Sequence, residues 1–260
     1  MPLFADEKYL HRAARACMRR RSAPGADRVT WAQYRQGLPE RLHALSRRLF
    51  DGTWQPGPLR LTSVTAYTGK TFTVAIPTAE DRVVHRALRG AVEPVLEATV
   101  LAPWVSGYRP GRNRITALRT ASNHLAKGLG FVADLDVARA SEGATVDQVV
   151  DWVAAHVHDG TFLDRLRTIL GGLSDPMIPG SGLAPLLINL RLSRVDARLA
   201  HLPVVRFADN YCVFTATQDA AVRAFGAVTE ALAAEGLRPH LTKSRVRTAA
   251  NVEDLFLIAG

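Results

Sequence analysis

The pattern of apolar and polar positions along the chain predicts a mixture of helices and short strands. Apolar residues recur at helical spacing over residues 5–21, 30–50, 78–100, 114–127, 145–156, 161–171 and 218–235. A glycine-rich loop leads into a further long helix within IPGSGLAPLLINLRLSRVDARLA. The runs at 59–66 and 71–76, FVADLDVA and RFADNYCVF are typical of strands. This alternation, without an internal repeat, indicates an α+β or α/β fold.

Three of these regions carry specific local signals. Thr30 is predicted to cap the helix over 30–50, and the sequence Thr-Ala-Glu-Asp from Thr78 predicts a cap for the helix over 78–100. The stripe that we predict to be buried core in this helix consists of Val83, Val84, Leu88, Val92, Val95 and Leu96. The runs 59–66 and 71–76, joined around Thr68-Gly69-Lys70, predict a β-hairpin, and Lys70 at its tip is a candidate phosphate contact.

Composition adds a preference for an acidic partner. The chain has 260 residues, enough for one large domain or a domain with a smaller lobe, and 47% of them are hydrophobic. Its formal net charge of +9 favours binding to RNA or DNA, although codon bias in GC-rich genomes also produces arginine-rich chains. The two cysteines define no disulfide framework, and neither a signal peptide nor an apolar window of about 18 residues is present. We therefore expect a cytoplasmic protein with no membrane association.

Polar side chains interrupt two of the predicted strands. Asp134 and Asp136 alternate along FVADLDVA and therefore project from the same face. Asp209 and Asn210 lie at the centre of RFADNYCVF, where an uncompensated charge is unfavourable. One interpretation is that Asp136 ends a strand and that Asp209 and Asn210 form an ordinary turn. The other is that the carboxylates of Asp136 and Asp209 hold metal ions.

The order of motifs resembles that of the bacterial reverse transcriptases of the group II intron and retron type. The matching segments are SAPGADRVTW, TGKTFTVAIPTAEDRVVHRALRGAVEPVLEATV, VSGYRPGRNRITAL, FVADLDV, GSGLAPLLINLRLSRVDARL, VVRFADNYCVF and GLRPHLTKSRV. The resemblance implies an α+β fold, a right-hand polymerase fingers and palm with an antiparallel palm sheet flanked by helices. It divides the chain into an N-terminal fingers region (1–78) and a palm with the remaining fingers elements (79–260). No thumb is expected after LFLIAG.

The resemblance also assigns candidate catalytic residues. Asp136 and Asp209 match the aspartates that hold two Mg²⁺ ions, with Mn²⁺ as the usual substitute, during nucleotidyl transfer. Lys243 matches the lysine that neutralises the leaving pyrophosphate. Asn210 stands where the family has a second aspartate, so we expect weaker metal binding, with the amide oxygen as a remaining ligand.

Several positions depart from the family pattern. Ser141 replaces the aromatic residue that blocks a nucleotide 2′-hydroxyl, which predicts tolerance of ribonucleotides. The loop that ends at Gly182, a candidate nucleic-acid contact, is one residue shorter than the family's template-facing loop. The position of a fingers arginine of the family falls near Phe72, which removes one cationic contact to the incoming triphosphate.

Other family positions are retained. Arg109 and Arg112 match fingers arginines and are candidate phosphate contacts. Trp104 and Tyr108 could stack on a base, but we predict core packing for both. We expect Asn189 to hold an adjacent turn together rather than to contact substrate.

Two classes of function follow from these residues. In the first, the chain is an RNA-directed DNA polymerase that uses Asp136 and Asp209, is slow, and depends on a thumb from a second protein. In the second, it is a catalytically inactive subunit that binds RNA, DNA or an active partner, for example in antiviral defence. The net charge by itself would also fit a third class, a basic protein that is unrelated to polymerases.

Overall fold

The computed structural model describes residues 2–19, 22–65 and 71–255, and Lys70 therefore lies outside the described residues. Its α-helices are α1 (Glu7–Met18), α2 (Trp31–Arg35), α3 (Leu38–Asp51), α4 (Ala79–Thr99), α5 (Arg114–Ala126), α6 (Val146–Ala154), α7 (Gly160–Gly171), α8 (Ala184–Leu199) and α9 (Gln218–Ala233). Its strands are β1 (Arg60–Thr65), β2 (Thr71–Ile76), β3 (Phe131–Ala138), β4 (Val204–Phe207), β5 (Asn210–Thr215), β6 (Arg238–Pro239) and β7 (Arg245–Thr248). The fold is α+β, as predicted.

Local sequence signals explain most element boundaries. Thr30 forms a capping box with Gln33 and starts α2, as predicted. The predicted helix over 30–50 is two helices, because Gly37 adopts a left-handed conformation between α2 and α3. Thr78 accepts a hydrogen bond from the Asp81 amide at the start of α4. The core prediction for α4 is wrong at Val95, which is 39% exposed because Leu96 takes the buried position in the last turn.

The chain forms two compact units, and the first comprises Met1–Leu96 and Ser141–Leu187. Strands β1 and β2 form the predicted antiparallel hairpin, with Arg60 opposite Ile76 and Thr65 opposite Thr71. The ring of Phe4 packs edge-on against that of Phe162. The predicted division into fingers (1–78) and palm (79–260) concerns function and stays a prediction.

The second unit comprises Glu97–Ala140 and Ile188–Gly260 and contains an antiparallel five-stranded sheet. Strand β3 is central: β5 and then β4 lie on one side of it, while β6 and β7 pair with its other edge. The core between the sheet and α9 includes Leu135, Tyr211 and Val228. None of the helices in the described ranges is long and apolar enough to cross a membrane.

Candidate functional site

The apolar pattern of RFADNYCVF is typical of one strand, whereas the family resemblance implies a strand, a turn and a second strand, and the segment forms this tight hairpin. Phe207 at the end of β4 pairs with Asn210 at the start of β5, so Ala208 and Asp209 form a two-residue turn. Ala208 has a φ of +55°, which two-residue hairpin loops require but which a non-glycine residue rarely adopts. Asp209 is partly exposed in this turn. Its charge therefore does not lie inside the sheet.

Strand pairing brings Asp136 and Asp209 to adjacent positions. Asp136 lies directly opposite Asn210 in the β3–β5 ladder. The next amide of β3, that of Val137, donates to the carbonyl oxygen of Asp209 at 2.9 Å. Asp136 on β3 and Asp209 in the turn between β4 and β5 thus lie next to each other at the same end of the sheet.

Lys243 is held against Asp136 by the loop between β6 and β7. The amide of His240 donates to the Asp136 carbonyl at 2.7 Å, and the Asp136 amide donates to the Ser244 hydroxyl at 3.1 Å. The Lys243 Nζ lies 3.2 Å from the Asp136 Oδ2, and 36% of the lysine side chain is exposed. A cation therefore neutralises Asp136 from the loop side and keeps access to solvent.

Asn210 carries a buried oxygen whose hydrogen-bonding capacity is not used. Its Nδ2 lies 3.5 Å from the Phe207 carbonyl and 3.4 Å from Asp209 Oδ1. Its Oδ1 is buried, and within the described part of the chain it has no hydrogen-bond partner. Because a buried unsatisfied acceptor costs about 1–3 kcal/mol, such an atom suggests a water or an ion.

The oxygen atoms of Asp136, Asp209 and Asn210 fit the hard ligand set of Mg²⁺ or Mn²⁺ in kind. They supply one carboxylate fewer than the resemblance implies. In the described ranges, no group of three or more His, Cys, Asp or Glu side chains could hold a metal ion.

Asp134, on the same strand as Asp136, is neutralised within the sheet. It is fully buried, forms an ion pair with Arg247 Nη2 at 3.1 Å and accepts a hydrogen bond from Cys212 Sγ at 3.6 Å. Burial, and then the negative charge of Asp134, raise the pKa of the Cys212 thiol well above its ordinary value. These contacts make Asp134 part of the sheet's internal structure.

A buried ion pair holds the turn that carries Asp209. Arg206 is fully buried in β4 and donates from Nε and Nη2 to the Asp196 carboxylate of α8, the closest contact being 2.7 Å. Its Nη1 donates to Asn189 Oδ1 at 2.9 Å and to the Ala208 carbonyl at 2.7 Å. Tyr211 donates to the same carboxylate at 2.8 Å. The expectation that Asn189 holds a turn agrees with these contacts.

The sequence reasoning missed Arg206 and Asp196. The sequence did contain a signal for Arg206, because it lies inside an apolar run and a buried arginine needs a partner for its charge. Asp196 lies ten residues earlier on a different element, so no local spacing indicated the pair.

The two candidate phosphate-binding arginines lie in the second unit and differ in accessibility. Arg109 is buried, pairs with Glu97 at 2.8 Å, and donates from Nη1 to the carbonyls of Ala102 and Val105. These contacts favour a structural role for Arg109 over the predicted phosphate contact. Arg112 is partly exposed and donates to the Pro103 carbonyl. Phosphate binding by Arg112 stays a prediction.

Ser141 and Gly182 belong to the first compact unit. Ser141 is partly exposed in the turn after β3. Gly182 precedes α8, and a Cβ added there would lie 3.1 Å from the Cβ of His85. The local structure therefore limits side-chain size at residue 182, and the binding roles of both residues stay predictions.

The core-packing prediction holds for Trp104 and is wrong for Tyr108. Trp104 packs against the core of the second unit, whereas Tyr108 is 46% exposed. Tyr108 also has a φ of +62°. Tyr108 therefore does not occupy the core position that its residue type suggested.

No protein-family model matches this chain. The chain is 28% identical over 214 residues to Protein YkfC of Escherichia coli (strain K12), in an alignment that covers 76% of this chain and 56% of YkfC. It is 34% identical over 94 residues to Nuclear intron maturase 1, mitochondrial, of Arabidopsis thaliana, which covers 36% of this chain and 13% of the maturase. The chain thus spans about half the length of YkfC, and it shares a partial similarity with an intron maturase.

Proposed function

We propose that the chain is a reverse transcriptase-like domain, with a right-hand fingers and palm, that acts on RNA or DNA. The observation that carries this proposal is the pairing of Asp136 with Asn210, which brings the turn residue Asp209 beside Asp136 while Lys243 contacts Asp136 at 3.2 Å. The partial similarity to an intron maturase supports the same ancestry. The proposed reaction is RNA-directed DNA synthesis.

Each residue has a distinct role in this reaction. Asp136 and Asp209 would hold divalent ions, with the Asn210 oxygen as a weaker ligand. When bound, Mg²⁺ or Mn²⁺ would activate a primer 3′-hydroxyl and hold the triphosphate. Lys243 lies close enough to Asp136 to neutralise charge that develops on a pyrophosphate leaving group.

A second candidate function is favoured by Asn210. Replacement of a carboxylate by an amide removes one negative charge from the proposed ion site, which weakens its attraction for a dication. The chain would then be a non-catalytic subunit that binds nucleic acid or an active polymerase, with a second protein supplying a thumb or the chemistry. A role in antiviral defence belongs to this alternative.

Primer extension distinguishes the two functions. The parent protein is tested on RNA and DNA templates with dNTPs or NTPs, in Mg²⁺ and in Mn²⁺, beside Asp136→Asn, Asp209→Asn and Lys243→Met. Asp147→Asn is the matched control, because the Asp147 side chain is 79% exposed. Incorporation by the parent and the control that is lost in the aspartate variants supports the polymerase.

Absence of incorporation under every condition, with salt-dependent binding of an RNA–DNA hybrid intact, supports the binding subunit. Absence of both incorporation and binding contradicts the proposed function. If the parent incorporates nucleotides, we expect it to accept NTPs because Ser141 lacks bulk, and Ser141→Phe to restore a preference for dNTPs.

A further inference from the structure

The segment that carries Tyr108 is attached to the hairpin that carries Asp209. The Arg206 amide donates to the Trp104 carbonyl at 3.2 Å, and the Ser106 amide donates to the Arg206 carbonyl at 2.9 Å. Val105 and Arg206 form a parallel bridge. Residues 104–106 therefore lie alongside β4 and are hydrogen-bonded to it.

Gly107 places the next residue close to the hairpin turn. A Cβ on Gly107 would lie 2.0 Å from the Ala208 nitrogen, so only glycine permits this approach. Asn189 donates to the Gly107 carbonyl at 2.9 Å, and the same side chain accepts from Arg206. The backbone on both sides of this contact is thus fixed by one buried network.

Tyr108, which directly follows Gly107, has an unusual backbone conformation. Its φ of +62° is rare for an aromatic residue, yet its side chain is 46% exposed and contributes little to the core. Residues held in such conformations concentrate at functional sites.

We infer that Tyr108 is a nucleotide-contacting residue whose ring stacks on the base of the strand end that reaches Asp209. This inference rests on the proposed function. An exposed ring anchored beside a candidate catalytic turn is suited to stacking, which tolerates every base because each has a π-face. Stacking would orient a primer terminus without adding a charge to a site that already has Asp136, Asp209 and Lys243.

The test uses the full chain and a labelled RNA–DNA hybrid whose recessed primer 3′ end carries 5-iodouracil, a base that photo-crosslinks to an adjacent aromatic ring. Affinity is measured by fluorescence anisotropy over a series of salt concentrations, and the crosslinked peptide is identified by mass spectrometry. We expect the crosslink at Tyr108. We also expect Tyr108→Leu to bind about tenfold or more weakly, and Tyr108→Phe to bind like the parent.

The salt dependence separates stacking from charge effects. Tyr108→Leu should weaken binding without changing the slope of log affinity against log salt, because that slope counts phosphate contacts. The control is Val222→Ala, which shortens an exposed apolar side chain on α9, away from the Tyr108 segment in sequence. Thermal unfolding verifies that each variant folds. Parent-like binding by Tyr108→Leu, with no crosslink at Tyr108, overturns the inference and leaves the proposed function intact. Failure of the parent to bind the hybrid overturns both.

Discussion

The buried side chain of Arg206 donates to the carbonyl oxygen of Ala208 at 2.7 Å and so ties the turn that carries Asp209 to the interior of the sheet. The same guanidinium pairs with Asp196, whose side chain is 2% exposed. One ion pair thus contributes to both folding and site geometry. Mutations of Arg206 and Asp196 can separate the contribution of the ion pair to stability from its contribution to the geometry of the Asp209 turn.

Removal of Arg206 alone should strongly destabilise the protein. Arg206→Met leaves the Asp196 carboxylate buried without its cation, and we expect a loss of about 3–5 kcal/mol in the free energy of unfolding measured in urea. Arg167→Met is the control: it breaks an exposed pair with Asp147 and should cost less than about 1 kcal/mol. Equal losses in the two variants would contradict a stabilising role for the buried pair.

The double variant Arg206→Met with Asp196→Leu should recover much of this stability, because both buried charges are removed together. It still lacks the donor to the Ala208 carbonyl. We therefore expect a folded protein with impaired binding of an RNA–DNA hybrid or impaired incorporation. Full function in this double variant would show that the turn does not depend on Arg206.

The contact between Gly107 and Ala208 predicts intolerance of a methyl group. In Gly107→Ala the added Cβ would meet the Ala208 backbone at 2.0 Å, and we expect a loss of about 1–3 kcal/mol in unfolding free energy. Gly226→Ala is the matched control, since nothing lies within 4 Å of its added Cβ on α9. There we expect a gain of about 0.5–1 kcal/mol. Denaturant unfolding of both variants measures the difference, and a neutral Gly107→Ala would contradict the close approach.

Restoration of a carboxylate at residue 210 should have opposite effects without and with metal. Asn210→Asp adds a buried negative charge near Asp136 and Asp209, so we expect a lower melting temperature in EDTA. With Mn²⁺ the same charge should tighten ion binding by about tenfold or more, measured by calorimetry, and raise the melting temperature above that in EDTA. Asn123→Asp, on the exposed surface of α5, should show neither effect. An Asn210→Asp variant insensitive to Mn²⁺ would count against the ion site.

The burial of His85 predicts that the folded protein loses stability in mild acid. Complete burial lowers the pKa of His85 from its ordinary 6.5 to about 4, so the unfolded chain takes up a proton that the folded protein excludes. Stability from this residue is therefore fully present above pH 6.5 and is lost as the pH falls toward 4. Linkage gives a loss of about 2 kcal/mol between about pH 7.5 and about pH 5. Urea unfolding at the two pH values should show this loss in the parent and in His201→Gln, an exposed control, but not in His85→Leu.

Local chemistry predicted much of the fold because caps, turns and periodicity act within a few residues. Thr30, Thr78 and the hairpin over 60–76 were found in this way. The predictions failed where a neighbouring element decides the outcome. Val95 has the spacing of a core residue but is exposed, and Tyr108 has the residue type of a core residue but is also exposed.

The sequence by itself determined the α+β class, the identity of Asp136, Asp209, Asn210 and Lys243 as candidates, and the strand on which Asp136 lies. Only the tertiary structure decided that Asp136 pairs with Asn210, that Lys243 contacts Asp136, and that Arg206 joins Asp196 to the Ala208 turn. Periodicity reports which face of an element is apolar, but strand register and side-chain pairing depend on packing between segments far apart in the chain.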